Sequence, residues 1–133
     1  MAFKNQGSSG PRALIIEDIK VDCAILLAML RKFNCDTTVA HNGKEAVDLF
    51  LEGKTFDIVL SDKDMPVMPG PEAVAKIRAM VGTEMKIVGV SADLGGLEAF
   101  MSAGADDFVP KPMKIGVLET MLQEVISKKN KTG

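Results

Sequence analysis

The sequence predicts an α/β domain, doubly wound around a five-stranded parallel sheet. Two patterns predict it. Short apolar runs of strand length alternate five times with stretches of helical spacing, and strands covered on both faces read as unbroken apolar runs. Four of the five runs also end in residues carrying charge or a hydroxyl, at the edge where such sheets bind ligands.

The elements follow in order. Residues 13–16 (ALII) form the first strand. Residues 21–33 form a helix, with Ile25, Leu26, Met29, Leu30 and Phe33 at helical spacing. Residues 37–40 form the second strand. Asn42-Gly43 then punctuates, and the helix at 44–51 stops by Gly53. Residues 58–60 form the third strand, and the helix at 72–80 has Pro71 well placed for its first turn. A fourth strand at 87–90, a helix at 97–103 stopped by Gly104, and a brief fifth strand at 108–109 lead to an amphipathic helix at 115–126. Strand–helix repeats in this sequence imply right-handed crossovers, with helices on both faces. The expected organisation is a flexible tail at 1–11, one domain at 12–128 and a short Lys-rich tail at 129–133.

Bulk properties narrow the function. A chain of 133 residues with 47% hydrophobic and 26% charged residues suits one globular core. Sixteen Lys and Arg against eighteen Asp and Glu leave a net charge of -2, without the basic excess of a nucleic-acid or membrane-surface binder. No apolar run approaches the roughly 20 residues that cross a bilayer, and no signal peptide is recognisable. Cys23 and Cys35, with no CxxC and no histidine cluster, read as reduced thiols of a reducing, cytoplasmic compartment, from which nuclear entry by diffusion is open.

The strand ends carry the chemistry. The first ends in Glu17-Asp18, the third in Asp62-Lys63-Asp64, the fourth in Ser91-Ala92 and the fifth in Pro110-Lys111-Pro112. Crowded carboxylates disfavour one another's ionisation unless a cation joins them, and oxygen ligands with room for water and phosphate suit Mg²⁺. Lys111 adds a mobile positive charge, Ser91 a hydroxyl donor, and an aspartate can be the nucleophile that forms an aspartyl-phosphate. Phosphoryl transfer needs mainly positioning and charge neutralisation, which this set supplies.

These residues resemble the receiver domain of two-component and phosphorelay signalling. The likeness rests on Glu17-Asp18, SDKDMPVMPG at 61–70, VSA at 90–92, FVPKP at 108–112 and AHNGKEAVDLF at 40–50. The resemblance implies a flavodoxin-like strand order 2-1-3-4-5, with Asp62 as phosphoacceptor and Glu17, Asp18, Asp62 and the main-chain carbonyl of Asp64 around Mg²⁺. It further implies that Ser91 and Lys111 contact the phosphoryl group, that Phe108 changes rotamer with Ser91, and that the Lys111-Pro112 bond is cis. The donor it implies is a histidine-containing phosphotransfer protein or histidine kinase, and the output a switched protein-interaction surface, with no direct nucleic-acid contact and a monomer favoured. Such a domain phosphorylates and dephosphorylates itself rather than turning over substrate, and it can serve as a phosphate sink. The strings DKDMP, KIVGVSA and AFMSAGADDFVPKP resemble the short, output-less response regulators of plants. A receiver within a hybrid histidine kinase reads much the same.

Some positions depart from the family pattern: Glu17 where Asp is frequent, Pro69 before Gly70, Pro110 before Lys111, and Phe108 without a tyrosine hydroxyl. Asp64 and Asp93 are expected to flank the site and modulate access to the phosphoryl group. Plainer readings stand beside these. Asp62-Lys63-Asp64 alone reads as a solvated turn, Ser91 as a helix cap, His41 as an exposed residue near the second helix, and most methionines as core packing. Two rival functions are an aspartate-nucleophile phosphatase of the haloacid-dehalogenase type and a degenerate receiver used only for docking. The phosphatase places its DxD after the first strand, whereas here it follows the third.

Overall fold

The computed structural model describes residues 10–132. Its elements run β1 (Arg12–Ile16), α1 (Lys20–Lys32), β2 (Asp36–Ala40), α2 (Gly43–Leu51), β3 (Ile58–Asp62), α3 (Gly70–Val81), β4 (Lys86–Ser91), α4 (Gly96–Ala103), β5 (Asp107–Pro110) and α5 (Ile115–Thr132). The strands form one parallel sheet in the order β2-β1-β3-β4-β5. The chain reverses direction across the sheet after β2, so β1 and β3 are neighbours at the switch point where such folds bind ligands.

The apolar runs are buried for the reason their composition predicts. Ile58, Val59 and Leu60 of β3 and Leu14, Ile15 and Ile16 of β1 are wholly buried. Side chains alternate across each strand, which divides the core in two. Ala13, Ile15, Ile58, Leu60, Val88 and Val90 meet α1 and α5 through Leu26, Leu30, Leu118 and Leu122. Leu14, Ile16, Val59 and Ile87 meet α2, α3 and α4 through Phe50, Ile77 and Phe100. Each fully buried aliphatic side chain contributes about 1.5–3 kcal/mol relative to exposure, which holds β3 rigidly between its neighbours.

Helix starts follow local chemistry. Asn42 Oδ1 accepts from the Glu45 amide at 2.9 Å, and Glu45 Oε1 accepts from the His41 amide at 2.8 Å, a reciprocal cap at the head of α2. His41 itself is exposed. Pro71 sits in the first turn of α3, where its missing N–H costs nothing.

Two expectations about the ends need correction. The helix expected over 115–126 continues to Thr132, through Lys128 and Lys129; polar residues with good helix propensity extend it past the apolar stripe. At the other end, the Gly10 amide donates to Asn34 O at 2.7 Å and Pro11 O accepts from the Asp36 amide at 3.0 Å. Those two residues of the expected tail are therefore tied down beside β2. Residues 1–9 of that tail lie outside the described residues. Cys23 is buried and Cys35 half-buried, and both are free thiols.

Candidate functional site

The carboxyl edge of the sheet gathers residues that the sequence keeps far apart. β1 delivers Glu17, whose amide continues the ladder by donating to Ala40 O at 3.0 Å. β3 delivers Asp62, β4 delivers Ser91, and Lys111 follows β5 directly. The Lys111 amide donates to Ser91 O at 3.0 Å, extending the β4–β5 pairing by one bond. The Lys111-Pro112 bond is cis.

Lys111 is the hub. Its Nζ lies 3.0 Å from Asp62 Oδ1, 3.0 Å from Glu17 Oε1 and 2.9 Å from Asp22 Oδ2. Glu17 is 1% exposed and Asp62 8%, so both charges are nearly out of water and depend on partners. Burial pushes the Glu17 carboxyl above its ordinary value; the hydrogen bond from Lys111 opposes this, and the charge of Asp62 adds to it. Burial on its own would lower the Lys111 ammonium, but hydrogen bonds to Asp22, Asp62 and Glu17 outweigh it and raise it. One ammonium thus faces three carboxylates, and the pocket keeps an excess of negative charge.

Asp62 reaches the edge through a tightly fitted loop. A β-carbon built on Gly70 would stand 1.9 Å from Asp62 O and 2.9 Å from Ser61 Oγ. Only glycine lets the head of α3 approach β3 so closely. The Gly70 amide donates to Lys63 O at 2.8 Å, and Ser61 Oγ donates to Asp62 O at 2.9 Å. Between them Val67 takes φ +71°, where the Met68 amide reaches back to Pro66 O at 2.7 Å. That conformation is unusual for a β-branched residue.

The other predicted residues are placed as follows. Asp18 is exposed and makes no side-chain hydrogen bond or ion pair among the described residues. Asp64 is exposed on the β3–α3 loop, and its carbonyl accepts no hydrogen bond among the described residues. Ser91 is buried, with Oγ accepting from the Asp93 amide at 3.0 Å. Phe108 is half-buried, its ring centroid 6.3 Å from that of Phe100. The structure therefore brings Glu17, Asp62 and Lys111 into direct contact, leaves the Asp18 side chain without a partner among the described residues, and pairs the Asp64 carboxylate with Lys63 at 3.6 Å.

Sequence reasoning missed Asp22, Lys63 and Gly70. Asp22 reads as an ordinary first-turn acid of α1, and nothing in its spacing signals a bond to Lys111. Gly70 was legible only as the end of a motif, not as the contact that seats Asp62.

The donor set fits a hard divalent cation in chemical type. Glu17 and Asp62 are buried and incompletely neutralised, and Asp18 and the Asp64 carbonyl are unclaimed oxygens nearby in the chain. As they stand, however, no three acidic, histidine or cysteine side chains among the described residues converge on a metal-sized point. Lys111 lies between Glu17 and Asp62 instead.

Comparisons with known proteins agree with this fold. A family model described as the response regulator receiver domain matches residues 13–123. A two-component response regulator of rice, ORR42, is 61% identical over 99% of this chain and 98% of its own length. Two-component response regulator 24 of Arabidopsis thaliana is 38% identical over 91% and 88%. Two solved structures superpose with high similarity. The receiver domain of the sensor histidine kinase PA1611 of Pseudomonas aeruginosa, with magnesium coordinated in its active-site cleft, has a TM-score of 0.81, 32% identity, and coverage of 90% of this chain and 99% of that one. The receiver domain of yeast Ssk1, solved with the histidine phosphotransfer protein Ypd1, has a TM-score of 0.77, 26% identity, and coverage of 87% and 88%. A sheet ordered 2-1-3-4-5 with Asp62, Glu17 and Lys111 meeting at its carboxyl edge, and sequence relatives matched over nearly their whole length, place the chain in one family: it belongs to the response regulator receiver domains of two-component signalling.

Proposed function

We propose that Asp62 is the phosphoacceptor and that it takes its phosphoryl group from a phosphohistidine donor in the presence of Mg²⁺. The contact that carries this reading is Lys111 Nζ at 3.0 Å from Asp62 Oδ1 at the end of a rigid, buried strand. An Asp62 oxygen attacks phosphorus, the P–N bond of the phosphohistidine breaks, and its electron pair leaves with the imidazole nitrogen. Lys111 neutralises charge on the phosphoryl oxygens. Ser91 supplies a hydroxyl to one of them, and Phe108 follows it by packing alone. Glu17, Asp18, Asp62 and the Asp64 carbonyl would hold the metal, which supplies charge neutralisation for the transferring group. Attack by water on the acyl phosphate later releases inorganic phosphate and restores the carboxylate.

Apolar side chains at the same edge suit a protein donor. Ile19, Val21 and Ile25 at the head of α1, Val67 on the β3–α3 loop and Ile115 at the head of α5 are each at least 41% exposed. Exposed apolar groups beside a polar centre are the usual composition of an interaction surface. The histidine phosphotransfer protein solved with yeast Ssk1 is a donor of the required class.

The test is transfer from a phosphorylated histidine phosphotransfer protein, with Mg²⁺ or with EDTA. Rapid, Mg²⁺-dependent loss of label from the donor supports the reading. Retention of label by the donor in both conditions contradicts it and leaves a docking module. Steady turnover of free phosphomonoesters would favour a phosphatase.

A further inference from the structure

Lys63 follows Asp62 directly, and its ammonium crosses from the β3–α3 loop to the β4–α4 loop. There Nζ meets Asp93 Oδ2 at 2.9 Å, with Asp64 Oδ1 at 3.6 Å. Asp93 is engaged at three further points. Its Oδ1 accepts from the Gly95 amide at 2.9 Å, its own amide donates to Ser91 Oγ at 3.0 Å, and its carbonyl accepts from the Gly96 amide at 2.9 Å. The hydrogen bond from Lys63, reinforced by the Gly95 amide, holds the Asp93 carboxyl below its ordinary value.

The stem of Lys63 is equally well placed. A β-carbon on Gly96 would stand 3.0 Å from Phe108 Cε1, 3.3 Å from Lys63 Cδ and 3.3 Å from Ser91 Cβ. Lys63, Ser91 and Phe108 therefore converge on a position that has no side chain to part them. The Lys63 ammonium thus pairs with Asp93 while its stem lies against the same face of Gly96 that Ser91 and Phe108 border.

We propose that the Lys63–Asp93 ion pair is a latch on the β4–α4 turn, holding Ser91 in its bond with the Asp93 amide and Phe108 against Gly96. Lys63 is thus a positioning residue, and its effect on phosphoryl transfer rests on the reading of Asp62 as acceptor. Any movement of Ser91 towards Asp62 pulls on the Asp93 amide and works against the pair. The pair is partly solvated, with Asp93 57% exposed at its side chain. Pairs of this kind shift an equilibrium by about two- to fivefold rather than by orders of magnitude. The latch therefore tunes the response and does not gate it fully.

The test compares the full chain with Lys63→Met, Asp93→Asn and the double variant, labelled by acetyl phosphate in Mg²⁺. Asparagine keeps an oxygen for the Gly95 amide, so the turn itself survives. The two single substitutions change local charge in opposite senses. Simple attraction or repulsion of the anionic donor would move their rates in opposite directions. The latch predicts that both label faster by about two- to fivefold, that the double variant gains no more than either alone, and that Lys63→Arg stays near the parent. Opposite changes, slowing in both, or unchanged rates overturn it. A second readout separates this from the acceptor assignment: the ¹⁹F resonance of Phe108 in protein carrying 4-fluorophenylalanine, without any phosphoryl donor. If the parent does not label, the acceptor assignment fails, and the latch still stands or falls on that resonance. It shifts alike in both single variants if the pair holds Phe108, and stays fixed if it does not.

Discussion

Lys111 Nζ lies 3.0 Å from Asp62 Oδ1 and 3.0 Å from Glu17 Oε1, so a single ammonium holds together the ends of β1 and β3. Removing one partner from a buried ionic cluster leaves the others unpaired. Lys111→Met should therefore unfold more easily in EDTA, by about 1–3 kcal/mol, and Mg²⁺ should recover part of the loss by binding the vacated carboxylates. Chemical denaturation with and without Mg²⁺ checks this. Equal midpoints in both conditions would show that the carboxylates do not form a cation site.

Gly70 is predicted to be intolerant of any side chain. Alanine there would put a β-carbon 1.9 Å from Asp62 O, against backbone that cannot turn aside. Gly70→Ala should lose more than about 2 kcal/mol of stability or, where folded, displace Asp62 and lower its labelling rate. Gly53→Ala is the control: its β-carbon would meet nothing, but φ +91° also strains it. Loss of labelling confined to Gly70→Ala is the expected pattern.

Val67 supplies the opposite case. With φ +71° and 74% exposure, it bears backbone strain and buries little. Val67→Gly should stabilise the fold by up to about 1 kcal/mol, relief of strain slightly exceeding the added chain entropy. Thermal unfolding would show the midpoint rise; a fall would mean that the valine side chain is needed for packing.

The donor surface can be separated from the chemistry. Val21 is 64% exposed at the head of α1, next to Asp22 in the chain but with no part in the ion pairs to Lys111. Val21→Asp should slow transfer from a phosphotransfer protein by tenfold or so, the cost of about 1.4 kcal/mol at an interface anchor. Labelling by acetyl phosphate should be unchanged. Equal slowing with both donors would place the defect in the site instead.

Cys35 carries a pH signature. Burial, followed by the charge of Asp57, pushes its thiol from 9.0 up to about 11. The folded state thus favours the protonated thiol, and the unfolded chain ionises first. Stability from this group is complete below about pH 9 and lost as pH rises from about 9 to 11. Cys35→Ala should flatten that decline, and Cys35 should alkylate slowly at pH 8 in the native protein. Prompt native alkylation at the rate of a free thiol would contradict the assigned environment.

Much of this was legible in the sequence, for identifiable reasons. Unbroken apolar runs such as 58–60 mark strands covered on both faces, so the element order, the parallel sheet and the residues at the strand ends could be read from period and punctuation. The contacts between loops could not. Asp22 lies in the first turn of α1 and Lys63 on the β3–α3 loop, on different segments from their partners Lys111 and Asp93, and whether the side chains meet depends on reach and rotamer, which spacing does not encode. The seating of Asp62 by Gly70 is also a matter of distance between two backbones. The length of α5 was underestimated because its last turns carry no apolar stripe, only residues that accept a helix once the preceding turns have formed.

Whether Asp62 carries the phosphoryl group is decided by intact-mass analysis after incubation with a phosphorylated histidine phosphotransfer protein. A single added phosphoryl group that requires Mg²⁺ and is absent from Asp62→Asn is the expected result. A phosphoryl group still present on Asp62→Asn, or none on the parent from any phosphohistidine donor, would contradict it.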